Sequence, residues 1–382
     1  MTPKDLLARL VSFPTVSRDS NLDLIDWVED WLQSVGARTG RVPNAAGDKA
    51  SLWAQIGPDE PGGIILSGHT DVVPVEGQTW TSDPFTLTER DGKLYGRGTC
   101  DMKGFLALAM HAVRLAAQGR ISKPIQLAFS HDEEVGCEMA VPLIAGMAAL
   151  PRADRVIVGE PSMMRCITAH KGGLNYDVSV KGHPVHSSMM HEGVSAVMEA
   201  AKLIDWANQE NQRLMQQTPT PLAAMFDPPW TNIHVGVVRG GTTQNVTAEH
   251  CDFDIGFRFV AGEDPEDWKR RLFEKASAID AAMKAIHPSC FLKLTEAFWV
   301  EGLTPEVNGR AEALVRRLTG DNGEHVVSYG TEAGHFQAAG YSTVVCGPGD
   351  ISQAHQADEY LTVGQFEAGA RFMDRLIASL EG

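Results

Sequence analysis

The feature that most restricts the fold of this chain is a series of short apolar runs that alternate with helical patterns. Short apolar runs of this kind are typical of buried strands, and helices between them are typical of a mostly parallel sheet with helices on both faces. The sequence therefore predicts an α/β fold. The predicted strands are 51–56, 63–67, 93–95, 125–130 and 155–159, and the predicted helices are 6–11, 24–35 and 105–118.

The pattern changes after residue 173. Residues 176–181 alternate between apolar and polar side chains, as a half-exposed strand does. Two strand-and-helix units follow, which predict a separate α+β insert at residues 176–296 within an α/β domain formed by residues 1–175 and 297–382. The further predicted helices are 194–211, 265–286, 309–319 and 363–380, and the further predicted strands are 232–238, 251–259 and 342–346.

Composition and charge exclude several classes of function. The 382 residues are 43% hydrophobic and 21% charged, which is typical of a globular protein with a substantial core. The net charge of −16 argues against nucleic acid or an anionic membrane as partner. No apolar run approaches the ~18 residues of a membrane span, and the first residues predict a capped amphipathic helix. Six scattered cysteines without a Cys-x-x-Cys pair predict a reducing compartment, the cytoplasm.

Histidine and carboxylate side chains follow several predicted strands. A histidine such as His69 can offer one ring nitrogen to a metal while a carboxylate two residues on, Asp71, accepts the other N–H. An isolated His-x-Asp is more often a hydrogen-bonded core histidine, so the later candidates matter. Two histidines and three carboxylates suit zinc first, and cobalt or manganese next. The later candidates are Asp101, Glu133, Glu134, Glu160 and His355.

Each later candidate also has a simpler interpretation. Asp101 could bridge two metals about 3.5 Å apart, or cap the helix that follows it. Glu133 and Glu134 repel each other unless a cation lies nearby, and one could ligate metal while the other acts as general base. They could also form a solvated acidic turn, just as Glu160 could be a turn residue and His355 a surface histidine. Residues 96–103 contain glycines, an arginine and a lysine, but their spacing matches no nucleotide fingerprint.

Five stretches resemble, in order, the motifs of the dinuclear zinc amidohydrolases. The resemblance implies two zinc ions, with Asp71 orienting His69 and Glu133 acting as general base and then acid. It implies that His69, Asp101 and Glu160 hold one zinc, and that Asp101, Glu134 and His355 hold the other. The stretches are 67–74 (Ser-Gly-His-Thr-Asp-Val-Val-Pro), 96–104 (Gly-Arg-Gly-Thr-Cys-Asp-Met-Lys-Gly), 132–136 (Asp-Glu-Glu-Val-Gly), 158–161 (Val-Gly-Glu-Pro) and 354–355 (Ala-His).

The same family carries a lid and dimerisation domain where the pattern of this chain changes, which implies a homodimer. Residues 181–188 resemble the lid motif whose last histidine stabilises the oxyanion, here His186, often in the partner subunit's site. Many relatives have glycine where Val185 stands. Asn245 and Arg258 resemble the family's contacts to the substrate carboxylate, and a guanidinium fork matches a carboxylate. The alternatives are a loop histidine and a strand-end surface arginine.

Within this family the stretches 169–172, 329–333 and 345–349 are most similar to acetylornithine deacetylases. The resemblance implies metal-dependent hydrolysis of an N-acyl amino acid, with N2-acetyl-L-ornithine giving L-ornithine and acetate in arginine biosynthesis. Glu332 would pair with the distal ammonium of the substrate, because a buried glutamate needs a cation. A succinyl-diaminopimelate desuccinylase, a broad aminoacylase and a dipeptidase are the alternatives within the family. A catalytically silent relative that binds amino-acid derivatives is the alternative from another class.

Overall fold

The structure, a computed structural model, describes residues 1–381. None of the helices in that range combines the length and the apolar character that a membrane span requires. The helices are α1 (Pro3–Val11), α2 (Leu22–Ser34), α3 (Lys103–Gln118), α4 (Ala140–Gly146), α5 (Ala196–Met215), α6 (Pro265–Ile286), α7 (Arg310–Thr319), α8 (Ala333–Ala338) and α9 (Val363–Leu380). The strands are β1 (Arg38–Pro43), β2 (Ala50–Ile56), β3 (Ile64–His69), β4 (Thr88–Arg90), β5 (Lys93–Tyr95), β6 (Ile125–Ser130), β7 (Arg155–Pro161), β8 (Ile167–His170), β9 (Gly172–Lys181), β10 (Asn232–His234), β11 (Val238–Gly240), β12 (His250–Phe259), β13 (Phe291–Val300), β14 (His325–Val327), β15 (Ser342–Gly347) and β16 (Tyr360–Thr362).

The chain divides into two compact units. The first consists of Met1–His170, Leu303–Val326 and Thr331–Gly382, and the second consists of Lys171–Gly302 and Val327–Gly330. The second unit begins before residue 176 and ends after residue 296, the edges expected from the sequence.

The first unit contains an eight-stranded sheet in the order β1-β2-β6-β3-β7-β15-β8-β14. Strands β6, β3, β7 and β15 pair in parallel at its centre. The pairs β1–β2, β2–β6 and β15–β8 are antiparallel. The predicted α/β class is confirmed, and the parallel arrangement is concentrated in the central strands. Apolar residues of these strands form one core with α1, α2, α3, α7 and α9.

Helix α3 packs directly on the carboxyl ends of two central strands. Twelve of its residues are buried, which agrees with the continuous apolar pattern of the sequence. A Cβ placed on Gly159 of β7 would lie 2.0 Å from the Phe105 ring, and one on Gly68 of β3 would lie 2.6 Å from Met102. Only glycine allows an approach this close. As a result Asp101, two positions before the first residue of the helix, lies close to His69 at the end of β3 and to Glu160 near the end of β7.

The segment after α1 supports the end of β3. Thr2 caps α1 by accepting the Asp5 N–H, and Asp5 returns the contact, as in a capping box. Once the helix ends, the chain passes the loop after β3, where the Ser17 hydroxyl donates to Asp71 at 2.7 Å. The amino-terminal helix therefore brings a hydrogen-bond donor to the region where the sequence predicts function.

The second unit contains an antiparallel sheet in the order β10-β12-β9-β13, with β11 also paired to β12. Its inner face forms a core with α5 and α6. The predicted continuous strand over 232–238 is wrong. The N–H groups of Gly236 and Val237 donate to the Asp254 carboxylate instead of to a neighbouring strand, so the chain forms β10 and β11 separately.

Candidate metal centre

His69 ends β3 with its ring buried, at 1% exposure. Its Nδ1 lies 2.9 Å from the backbone oxygen of Asp71, which can only accept, so Nδ1 carries the proton. The sequence led us to expect the Asp71 carboxylate as acceptor, but its Oδ1 lies farther away, at 3.6 Å. This contact fixes the tautomer and leaves Nε2 to face the other candidate ligands.

The Asp71 carboxylate is oriented towards other donors. It accepts the backbone N–H groups of Glu133 at 3.2 Å and Glu134 at 3.3 Å, together with the Ser17 hydroxyl. Burial raises the pKa of Asp71, but the contacts with His69, Ser17 and the backbone outweigh it and lower the pKa below its usual value. Asp71 therefore fixes both the histidine loop and the paired glutamates.

Asp101 lies between the two histidines. Its Oδ1 is 3.0 Å from His69 Nε2, and its Oδ2 is 3.2 Å from His355 Nε2. His355 has a positive φ of 63° and an exposed side chain, so it approaches Asp101 from the solvent side. One carboxylate thus faces two imidazoles, each with a different oxygen, which is the arrangement expected of a bridging ligand.

Two groups of possible metal ligands share Asp101. One is His69, Asp101 and Glu160, and the other is Asp101, Glu134 and His355. Within each group the ligand atoms all lie within 4.8 Å of one another. The structure therefore brings together, from five separate segments, the five side chains that the sequence suggested as ligands.

Glu133 lies beside these groups. Its Oε2 is 4.0 Å from His69 Nε2, and its Oε1 accepts a contact of 3.2 Å from the Cys137 thiol. Burial raises the pKa of Glu133 to about 8, and the nearby carboxylates of Glu134 and Asp101 act in the same direction. A carboxyl group in this range can exchange a proton near neutral pH.

The carboxylates of the cluster concentrate negative charge away from water. Burial raises the pKa of Glu134 to about 7 and that of Glu160 well above its usual value, with Asp101 as the next cause in both. Hydrogen bonds to Asp101 and Glu134 raise the pKa of His355 to about 10. Glu134 Oε1 is buried and has no hydrogen-bond partner among the described residues. An orphaned oxygen in a set of carboxylates and imidazoles fits divalent cations of the zinc type.

The other predicted residues of the site belong mainly to the second unit. His186 is exposed, and its Nδ1 lies 2.8 Å from the Ser188 hydroxyl. The Ser187 N–H donates to the backbone oxygen of Asn245, so the segments of His186 and Asn245 lie side by side. Arg258 is exposed on β12, where it pairs with residues of β10 and β9.

Glu332 belongs to the first unit and is 1% exposed. The Ser67 hydroxyl donates to its Oε2 at 3.3 Å, while Oε1 has no hydrogen-bond partner among residues 1–381. Burial raises the pKa of Glu332 above its usual value. Ser67 precedes His69 by two positions on β3, so the two side chains lie on the same face of the strand and Glu332 lies near the cluster.

Sequence analysis gave no role to two charged residues of the site, Glu359 and Arg97, although Arg97 lies in the motif stretch 96–104. Both side chains are buried at 1% exposure and form an ion pair of 2.7 Å. Arg97 and Lys103, the cations of the loop compared with nucleotide fingerprints, point to protein partners, because Lys103 Nζ donates to the Phe13 oxygen at 2.7 Å. For Glu359 the only available signal was its place four positions after the candidate ligand His355, just as Arg97 lies four positions before Asp101.

The fold and the cluster of candidate ligands are those of a metal-dependent hydrolase. Similarity to known proteins identifies its family. Residues 65–379 match the model of peptidase family M20/M25/M40, and the chain belongs to this family. It is a metal-dependent amidohydrolase.

Relatives cover almost the whole chain. An acetylornithine deacetylase of Myxococcus xanthus is 34% identical over 98% of this chain and 97% of its own length. An acetylornithine deacetylase of Proteus mirabilis is 32% identical over 98% of this chain and 95% of its own length.

Solved structures share the fold. An M20 family metallo-carboxypeptidase from Sulfolobus solfataricus has a TM-score of 0.77 at 15% identity, covering 99% of this chain and 98% of its own. A tripeptidase from Staphylococcus aureus has a TM-score of 0.76 at 16% identity, covering 99% and 97%. A dinuclear metal-binding M20 peptidase from Bacillus subtilis has a TM-score of 0.66 at 14% identity, covering 99% and 97%.

Proposed function

We propose that this hydrolase deacylates N-acyl amino acids, with N2-acetyl-L-ornithine as substrate and L-ornithine and acetate as products. The observation that carries the proposal is the sharing of Asp101 by two groups of ligand atoms, with Glu133 beside them. The relatives named acetylornithine deacetylase support the substrate. The reaction would be a step of arginine biosynthesis. Six cysteines, all free and buried, support the proposed cytoplasmic location.

Two zinc ions are the proposed cofactors, with cobalt or manganese as possible substitutes. His69, Asp101 and Glu160 would hold one ion, and Asp101, Glu134 and His355 would hold the other. When bound, such ions polarise a carbonyl group and lower the pKa of water towards about 7. The donors fit this role because each group combines imidazole nitrogen with carboxylate oxygen.

Glu133 is the proposed proton carrier. Its Oε1 is engaged by Cys137, which leaves Oε2 to take a proton from the attacking water. The water oxygen adds to the amide carbon, and Glu133 then delivers the proton to the nitrogen as the C–N bond breaks. The raised pKa of Glu133, about 8, reflects burial and suits a group that must both hold and release a proton.

The second unit is the proposed lid and dimerisation domain. His186 would stabilise the oxyanion, in its own site or in the partner subunit's site, a contact worth about 3 kcal/mol. Asn245 and Arg258 would contact the substrate carboxylate, since a guanidinium matches a carboxylate in geometry. The adjacency of the His186 and Asn245 segments supports their joint action.

Glu332 is the proposed partner of the distal ammonium of ornithine. Its support is the unpaired Oε1 of a buried carboxylate, which a cation would satisfy. In Glu332→Gln we expect kcat/KM to fall more on acetylornithine than on acetylmethionine, which has no ammonium. Equal losses on both substrates would remove Glu332 from substrate selection.

A panel of four substrates tests the proposed function as a whole. Amine release would be measured with acetylornithine, succinyl-diaminopimelate, acetylmethionine and a dipeptide, each with zinc or cobalt added. We expect the highest kcat/KM on acetylornithine. Faster hydrolysis of another compound would identify that compound as the preferred substrate in place of acetylornithine. Metal binding without hydrolysis of any of the four compounds would favour a catalytically silent relative.

A further inference from the structure

We infer that Arg97 and Glu359 are positioning residues that fix the Asp101 carboxylate between the two groups of ligands. The inference rests on the proposed metal site and adds two residues that touch neither metal nor substrate. We call Gln78, Arg97 and Glu359 the clamp.

Glu359 gathers the loop that carries Asp101. Its Oε1 accepts the backbone N–H groups of Cys100 at 2.9 Å and Asp101 at 3.1 Å. Its Oε2 accepts the N–H of Gly98 at 3.1 Å and Arg97 Nη1 at 2.7 Å. Both oxygens are therefore fully engaged by four donors. Glu359 is oriented towards the backbone of the loop and is not an additional ligand.

Arg97 joins this loop to two others. Its Nη2 donates to Gln78 Oε1 at 2.6 Å and to the Pro74 oxygen at 3.4 Å, in the loop that follows His69 and Asp71. Its Nη1 also donates to the Gln356 oxygen at 3.3 Å, next to His355. A planar guanidinium is suited to hold several acceptors at fixed angles.

Gln78 completes the connection. Its Nε2 donates to the backbone oxygen of His355 at 2.9 Å, while its Oε1 accepts from Arg97. The clamp thus links the segments of Asp71, Asp101 and His355 without using any of their side chains. If the backbone of Asp101 moves, its two oxygens lose their simultaneous approach to His69 and His355.

A contribution to stability alone does not explain why the chain buries the ion pair of Arg97 and Glu359. Removing two charges from water offsets most of their mutual attraction, and a buried ion pair can often be replaced by apolar residues without loss. Groups that orient metal ligands, in contrast, typically change metal affinity or activity by about 10–100-fold when they are mutated. Because Glu359 contacts the backbone of Asp101, we assign the clamp to the groups that orient metal ligands.

Glu359→Gln tests the inference with a side chain of the same size. The amide replaces one acceptor oxygen with an NH2 group, which would face two N–H donors and displace the loop. We expect the zinc affinity of the metal-free protein, measured by competition with a chromophoric chelator, to fall about 10–100-fold. We expect kcat to fall while KM for acetylornithine changes little. The thermal midpoint of the metal-free protein is recorded in parallel.

Glu306→Gln is the matched control. Glu306 accepts the backbone N–H of Thr343 at 2.7 Å, so the change also removes a carboxylate from a backbone donor. This contact is away from the candidate ligands. Thr343 pairs with Val156, and Val156 pairs with Ile65, which lies four residues before His69 on β3. We expect Glu306→Gln to keep the zinc affinity of the wild type even if its midpoint falls.

Two more variants separate the possible failures. Asp101→Asn keeps the backbone contacts of the clamp but weakens the bridging ligand, so unchanged zinc affinity in Asp101→Asn would overturn the proposed metal site itself. Weaker zinc binding in Asp101→Asn with wild-type binding in Glu359→Gln would overturn only the clamp. If Glu359→Gln does not fold, Arg97→Lys replaces it. One ammonium cannot reproduce the guanidinium contacts, so wild-type affinity in Arg97→Lys would equally overturn the clamp.

Discussion

The two units of the chain hold most of their candidate functional side chains in opposite environments, and His355 is the exposed exception in the first unit. In the first unit, His69, Asp101 and Glu160 are at most 5% exposed and lie at the ends of central strands or just before α3. In the second unit, His186 and Arg258 are exposed on a loop and a strand. Groups that bind cations must be fixed in advance, whereas groups that meet a substrate must remain accessible. The contrast predicts that changes of the candidate metal ligands in the first unit alter metal binding, whereas changes in the second unit alter the kinetics and leave metal binding unchanged.

The largest expected effect of a single substitution concerns Glu133, which lies beside the metal centre without belonging to either ligand group. Glu133→Gln should lower kcat about 10²–10⁴-fold, because the amide cannot accept the proton of the attacking water. Steady-state kinetics on acetylornithine and metal content measure the two consequences, and metal content should not change. Glu138→Gln, an exposed change in the same segment, is the control. A Glu133→Gln enzyme that keeps most of its turnover would contradict the assignment.

Metal removal should destabilise the protein. A ligand that binds only the folded state stabilises it by about 4 kcal/mol when present at a thousand times its Kd. We therefore expect dialysis against a chelator to lower the thermal midpoint and abolish activity, and zinc to restore both. Magnesium, which prefers oxygen ligands and keeps its waters, should restore little. An unchanged midpoint after complete metal removal would show that the first unit does not depend on cations.

The next prediction concerns His186, an exposed residue of the second unit. His186→Ala should lower kcat by a factor corresponding to about 3 kcal/mol, about 10²-fold, if it stabilises the oxyanion. Chelator competition should show unchanged zinc affinity. His191→Ala is the matched control, because His191 is exposed and lies in the short 3-10 helix Ser187–Glu192 that His186 caps. Weaker zinc binding in His186→Ala would break the division of roles between the units.

The smallest expected effect concerns packing around the cluster. Gly159→Ala places a methyl group against the Phe105 ring, and overpacking of this kind costs about 1–3 kcal/mol. Urea unfolding should show the loss. Gly364→Ala is the control, because a Cβ there meets nothing within 4 Å. Equal midpoints for the two variants would mean that the close approach of α3 to β7 is not required.

The parts of the fold that could be predicted are those with strong local patterns. The continuous apolar character of α3 and the runs of β3, β6 and β7 identify them, because burial on all sides leaves no polar face. The edge strand β1 could not be predicted, because its residues are half-buried or exposed. The break between β10 and β11 depends on the Asp254 carboxylate, a contact that no local pattern reveals.

The residues of the candidate site also fall into two groups, those that the sequence pattern reveals and those that only the folded chain brings together. Motif residues such as His69 and Glu134 could be identified because each follows a predicted strand. Glu359 and Arg97 could not, because they lie 262 positions apart and meet only in the folded chain. The orientation of the Asp71 carboxylate towards the Glu133 and Glu134 N–H groups is likewise a product of tertiary structure.

A crystal structure of the zinc-loaded protein, with anomalous data collected at the zinc edge, would show directly whether Asp101 lies between two metal ions. We expect two anomalous peaks, one on each side of the Asp101 carboxylate, with Glu133 close to both and bound to neither. Peaks elsewhere, or a single peak that Asp101 does not touch, would contradict this arrangement.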